Sequence, residues 1–313
     1  MADETLSLKK AFSGHGGFGV DETTMAAMVT KWRKQPDQKS RFRSDFSGFF
    51  TKIGSIEKCE DDYLLRLKTE FSRFKNIMVL WLMHTWERDA RWMHHVMHKS
   101  YPFTVIVEIA CTRTSEELLG AKRAYQALFN HSVEEDVAYH IKESYSKLLV
   151  GLVSSFRYEG PQVDNDMAKW EAKALGNVIK SSGSGKLIQN EEVIRILTTR
   201  SKRHLKATFK HYKELHGKPI EEDLGANLCL QETVKCIDKP AKYFSEAINI
   251  AFKEGADKPS KLSLTRVIIS RADVDMEEIK ETYHKQFGVK LEDMITKNTH
   301  GHYKDTLLTL IGK

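Results

Sequence analysis

Four classes of side chain hold fixed offsets in three places along this 313-residue chain, and that recurrence limits what it can fold into. Arg113 is followed by Leu118, Tyr125 and Glu135, Arg200 by Leu205, Tyr212 and Glu222, and Arg271 by Met276, Tyr283 and Asp293, at +5, +12 and +22 each time. Self-similarity of this kind marks stacked structural repeats. Tyr212 to Tyr283 is 71 residues, whereas Tyr125 to Tyr212 is 87. The sixteen-residue excess falls near 159–166, a Gly-Pro-polar stretch that reads as a linker between two pairs of repeats.

In each copy an apolar run (105–109, 193–197, 267–269) leads to the Arg, and a polar link and a helix follow. Thr114 and Ser201 are good N-cap residues, and Thr114 with Glu117 has capping-box spacing. The third copy has Ala272 there, so Asp273 is the expected cap. The apolar residues at +5 and +12 are two helical turns apart, which puts the Tyr on the buried face. A second apolar run closes each copy at 148–153, 234–237 and 307–311. The first ninety residues fit less well: Arg33 follows an apolar stretch at 25–32, but Pro36 and a polar tract to Ser44 displace what comes after. Residues 67–90 then look like the closing helices of a fourth unit. The expected fold is all-α, four repeats of about five helices each.

Composition agrees, with only six prolines in 313 residues and 41% hydrophobic residues. The longest apolar run, 77–83, is too short for a membrane span. The opening MADETLSLKK has no apolar core of a signal peptide, and the four cysteines show no close metal-type pairing, so a reduced, cytoplasmic protein is expected. A net charge of +6 favours acidic partners, whether a membrane surface, nucleic acid or a protein. The densest basic cluster, 200–210, reads as a solvated helix face rather than a nucleic-acid patch.

With the repeat, the longer second link and the phrases VEIACTRTSEELLGAKRAY and LTTRSKRHLKATFKHY, the chain resembles an annexin over essentially its whole length. KTEFSRF followed by VLWLMHTWERDA, and YHKQFGVKLEDMI followed by YKDTLLTLIG, resemble the plant-type branch. The resemblance implies repeats at 1–87, 88–160, 161–240 and 241–313, arranged as a curved disc whose convex face docks through calcium on acidic, phosphatidylserine-like phospholipid. It implies a peripheral membrane binder, not an enzyme. The alternative is a calcium-independent scaffold for actin or other proteins.

Annexin calcium loops carry Gly-x-Gly-Thr, an acidic residue, and a carboxylate far downstream. Calcium needs six to eight oxygens, and glycine lets carbonyls turn inward. HGGFGVDE at 15–22 is the good match here. The resemblance assigns the carbonyls of His15, Gly17 and Gly19 and the carboxylate of Glu70 as ligands, with Phe18 at the membrane-contacting tip. Val20 stands in place of the usual Thr, and His15 and Gly16 in place of an apolar-basic pair. Glu70 lies 51 residues past Gly19, which implies an insertion between 36 and 53 and leaves Glu57, Glu60, Asp61 and Asp62 as alternatives. The other loops lack the pattern: 98–103 has no Gly pair and His140 at the acid position, 181–189 keeps glycines but has Asn227, and 253–261 contains Pro259 and has Asn298.

Asp89, Glu108, Arg113 and Arg266 match the polar cluster lining the annexin central channel, although buried charges of this kind pair for structural reasons alone. His94, His95 and His98 form H-H-x-x-H, with His94 and His98 one turn apart, and read as a surface helix before a metal site. GSGK at 183–186 fails the phosphate-loop pattern, because Lys180 and Leu187 occupy the positions of its first Gly and final hydroxyl. Cys111, with Cys236 as its possible partner, matches the sulfur cluster of plant-type annexins, but a buried thiol in an apolar run is ordinarily inert.

Overall fold

In the computed structural model, residues 6–7, 10–11, 21–45, 50–59, 73–98, 101–154, 156–182, 184–299 and 301–312 are described. They form two compact units, Arg88–Tyr243 and a second that joins Met1–Glu87 to Phe244–Lys313. The stretch near 159–166 therefore lies inside one unit and is not a divider between pairs of repeats. Sequence proximity suggested the pairs, but packing groups the middle of the chain apart from its two ends.

Each recurrence of the skeleton is a set of short helices. In the first, Thr104–Thr112 carries the apolar run, Ser115–Phe129 follows the Arg, and Val133–His140 and Ser146–Ser154 close the set. The counterparts are Glu191–Thr199, Lys202–His216, Ile220–Asp223 and Leu228–Asp238, and then Lys258–Arg271, Met276–Phe287, Leu291–Asn298 and Gly301–Leu310. Tyr125, Tyr212 and Tyr283 are at most 1% exposed, and Leu118, Leu205 and Met276 lie in the core beside them. The two-turn spacing thus places both positions inside, as the pattern predicted.

The starts of these helices follow from their caps. Thr114 accepts the Glu117 N–H while the Glu117 carboxylate accepts the Thr114 N–H, a complete capping box. Ser201 accepts the His204 N–H. The third helix departs from expectation: its N-cap is Asp275, not Asp273, and makes no side-chain cap bond. The Asp275 carboxylate is held instead by Arg271 at 2.8 and 2.6 Å, and a charge-assisted two-point bond outcompetes a cap. All three helices end in the left-handed conformation, at Asn130 (φ 61°), Gly217 (φ 76°) and Gly288 (φ 73°). These sit 17 residues past each skeleton Arg, so the recurrence extends to the turn that stops the helix.

The expected insertion contains ordered structure. After the helix Pro36–Asp45, strands Phe50–Ile53 and Ile56–Cys59 pair antiparallel, Phe50 opposite Cys59 and Ile53 opposite Ile56, around Gly54 at φ +62°. The all-α class stands, with this one hairpin added among the described residues. Phe50, Ile56 and Cys59 are buried, and Cys59 donates its N–H to both carboxylate oxygens of the buried Glu87 at 3.0 Å. The helix Thr85–His98 runs through the repeat boundary expected at 87–88. No helix among the described residues is long and apolar enough to cross a membrane.

Candidate functional site

The predicted calcium residues His15, Gly17 and Gly19, the tip residue Phe18, and Glu70 lie outside the described residues. Their flanks are described. The Asp21 N–H donates to the Ala11 carbonyl at 3.0 Å, and the Asp21 carboxylate accepts both the N–H and the hydroxyl of Thr24, so the chain leaves the loop straight into the helix Glu22–Trp32. Of the alternative acids, Glu57 is engaged by Arg43 at 2.7 Å on the hairpin, while Glu60, Asp61 and Asp62 lie outside the described residues.

The corresponding position of the next repeat is visible. His98, where the loop begins, and His140, at the downstream position, have ring centroids 4.3 Å apart. Imidazoles stand where calcium needs oxygen, so this pair does not fit the ion. In the other repeats the downstream residues are amides with local partners: Asn227 donates to the Leu224 carbonyl at 3.0 Å and Asn298 to that of Met294 at 2.8 Å. Pro259 falls in the first turn of Lys258–Arg271, a place that suits proline, behind the N-cap Asp257. Gly183 of the GSGK segment lies outside the described residues, and Ser184–Leu187 is one short helical turn.

The recurring arginines explain themselves as charge partners. Arg113 binds Asp89 at 2.6 and 3.0 Å, both nearly fully buried. Burial alone would pull the Arg113 guanidinium down, but the charge and hydrogen bonds of Asp89, with Glu108 nearby, hold it above its usual value. Arg200 binds the fully buried Glu171 at 2.7 Å, together with Arg195 at 3.1 Å and His204 at 2.9 Å. Arg271 binds Asp275. Of the expected channel cluster, Asp89, Glu108 and Arg113 belong to the unit Arg88–Tyr243, while Arg266, also buried, belongs to the other.

The sequence reading missed the acids that meet the core tyrosines. Tyr125 donates to Asp136 at 2.5 Å and Tyr212 to Asp223 at 2.8 Å, each one residue beyond the acid of the skeleton. The third copy has Met294 there, and Tyr283 donates to Asn249 instead at 3.0 Å. The signal was present, since an acid lies 11 residues after two of the three tyrosines. All four cysteines are free and buried. Burial pushes the Cys111 thiol up to about 11 and Cys229 to about 12, and holds Cys236 well above the ordinary value, which disfavours reactive thiolates.

Repeated sets of short helices, each with an Arg paired to a carboxylate, define a helical-repeat protein. The annexin family model matches residues 88–152, 172–228 and 251–310. Annexin D4 of Arabidopsis thaliana is 42% identical over 99% of this chain and 98% of its own length, and Annexin Gh1 of Gossypium hirsutum is 36% identical over 100% and 95%. Among solved structures, annexin III aligns with a TM-score of 0.81 over 100% of this chain and 94% of its own, at 23% identity, a likeness of fold. The chain belongs to the annexin family, and its relatives include plant annexins. The family is known for calcium-dependent phospholipid binding, and its members are generally non-enzymatic binding proteins.

Proposed function

We propose that this chain binds acidic phospholipid peripherally, at the cytoplasmic face of a membrane, with calcium held at one main site in the first of four repeats (1–87, 88–160, 161–240, 241–313). The carbonyls of His15, Gly17 and Gly19 and the carboxylate of Glu70 are its protein ligands, and Phe18 rests at the headgroup boundary. The observation that carries this reading is the contact of His98 with His140, which supports the pairing of loop and distant residue inferred for the first repeat. A single carboxylate gives weak calcium affinity, because affinity follows the number of charged ligands. Basic side chains near the bilayer add roughly 1 kcal/mol each toward an anionic leaflet and are screened by salt.

Co-sedimentation with phosphatidylserine vesicles tests the reading. Wild type is expected to pellet with calcium and stay in solution with chelator, and Glu70→Gln to need about tenfold more calcium. Equal pelleting of the two proteins at every calcium level removes Glu70 from the site. The amides at Asn227 and Asn298 favour a second reading, a calcium-independent scaffold for actin or another acidic protein. That reading requires retained capture of the protein partner in chelator, with no vesicle binding at any calcium concentration.

A further inference from the structure

The basic cluster at 200–210 reads alone as a solvated helix face, but the fold gives it an order and a neighbour. Arg203, Lys206, Lys210 and Lys213 recur at three- and four-residue spacing along Lys202–His216 and all are exposed, so they form one row of cations about 15 Å long. The repeat does not demand this row. The same offsets from the skeleton Arg carry Glu116, Leu119, Arg123 and Gln126 in the copy before it, and Val274, Glu277, Glu281 and His284 in the copy after it. The neighbour is apolar. Of the twelve large hydrophobic side chains exposed among the described residues, four fall between 156 and 170: Phe156 (73%), Tyr158 (53%), Met167 (38%) and Trp170 (58%). Arg200 gathers them at the start of the row. Its carbonyl accepts the Arg157 guanidinium at 2.6 Å, and its own guanidinium holds Glu171 of the helix Asn165–Ser181 at 2.7 Å. Phe156 and Tyr158 flank the buried Arg157 and Trp170 precedes the buried Glu171, so exposed aromatic rings stand on either side of one anchor.

We propose that this surface docks an acidic helical segment of another protein, its carboxylates along the row from Arg203 to Lys213 and its apolar end on Phe156, Tyr158 and Trp170. This deepens the scaffold reading and rests on it for the class of partner, yet it requires no loss of calcium or lipid binding. Charge complementarity selects the occupant. Acids at helical spacing match cations at helical spacing, and opposed rows of charge fix register between paired helices. Exposed ion pairs contribute little by themselves, so the aromatic cluster, of the kind that dominates interface energy, supplies the anchor. Nearby acids argue against a polyanion. Glu159, which accepts the Ser115 N–H at 2.7 Å, and Asp164, which caps Met167, lie with Asp166 in the same stretch as the aromatics, and all three are exposed. They would repel a strand of phosphates or an anionic bilayer laid across them. A protein segment that is acidic over one stretch and apolar over the next meets both halves of the surface.

The experiment is fluorescence anisotropy of untagged full-length protein in chelator and low salt. Its probe is a fluorescein-labelled synthetic helix with Leu and Phe at one end and Glu at three- and four-residue spacing along the rest. Wild type is expected to bind, more weakly as salt rises, with binding weakened about tenfold in Lys206→Glu/Lys210→Glu and about threefold in Trp170→Ala. Lys142→Glu/Lys147→Glu, which changes the net charge equally at exposed sites outside the row, is expected to match wild type. All the replaced side chains are exposed, and unchanged melting temperatures establish that the variants fold. No binding by wild type overturns the proposal. Binding that the row variant keeps, or that the control variant loses as fully, overturns this surface and leaves the acidic-partner reading standing. Single-stranded RNA or phosphatidylserine vesicles held in chelator more tightly than the helix, through the same row, overturn the protein occupant. Calcium-dependent pelleting with vesicles sinks the scaffold reading as the sole function without touching this surface, so the two failures are distinct.

Discussion

Tyr125 ties two facts of the sequence together: its place on the buried helix face and the acid that follows it. Replacing it with Phe leaves the Asp136 carboxylate without this donor in a place only 7% exposed, and is expected to cost about 1–3 kcal/mol in denaturant unfolding. Tyr283→Phe, whose partner is a neutral amide, is expected to cost less. Asp89→Ala strands a buried Arg113, and loss of one member of a buried pair costs about 3–5 kcal/mol. Lys202 supplies a pH dependence. Burial lowers its ammonium from 10.5 to about 8, so between those values the unfolded chain holds a proton that the folded chain has released. Stability is therefore expected to rise with pH across roughly 8 to 10.5, and Lys202→Met to flatten that slope in pH-resolved melting. The core positions were legible because periodicity reports which face is buried. The partners were legible only in part: an acid recurs 11 residues after Tyr125 and Tyr212, but Glu135 and Asp136 are neighbours in sequence and the path of Val133–His140 decides which one faces Tyr125.

At the scale of the element, helix starts were readable and helix ends less so. Thr114→Ala and Ser201→Ala each remove a side-chain cap and are expected to cost about 1 kcal/mol by chemical denaturation. Asp273→Ala should change stability by less than about 0.5 kcal/mol, because its carboxylate is largely exposed, 4.0 Å from Lys39. Asp275→Ala should cost clearly more, through Arg271. A cap is local chemistry and can be read from a few adjacent letters, unless a stronger partner such as Arg271 claims the residue first. Gly217→Ala places a Cβ in the left-handed conformation and is expected to cost about 1–2 kcal/mol. The hairpin escaped because FTKI and IEKC are short and alternate poorly, and because their register depends on Gly54 and on burial of Phe50 and Cys59.

At the scale of the whole molecule, the repeat predicted the class of fold. The proposed calcium ligands lie outside the described residues. The grouping of the two ends of the chain was not readable, since no local pattern records which repeats pack together. Within Arg88–Tyr243 the stretch near 159–166 has a further consequence. The Ser115 hydroxyl donates to the Arg157 carbonyl and its N–H to the Glu159 carboxylate, while the Arg157 guanidinium donates to the carbonyls of Leu197 and Arg200. The entry to a segment with the composition of a hinge is thus lashed to the start of Ser115–Phe129 on one side and to the end of Glu191–Thr199 on the other. A protease hunting for slack chain should pass it by, and the repeats on either side should swing together as one piece.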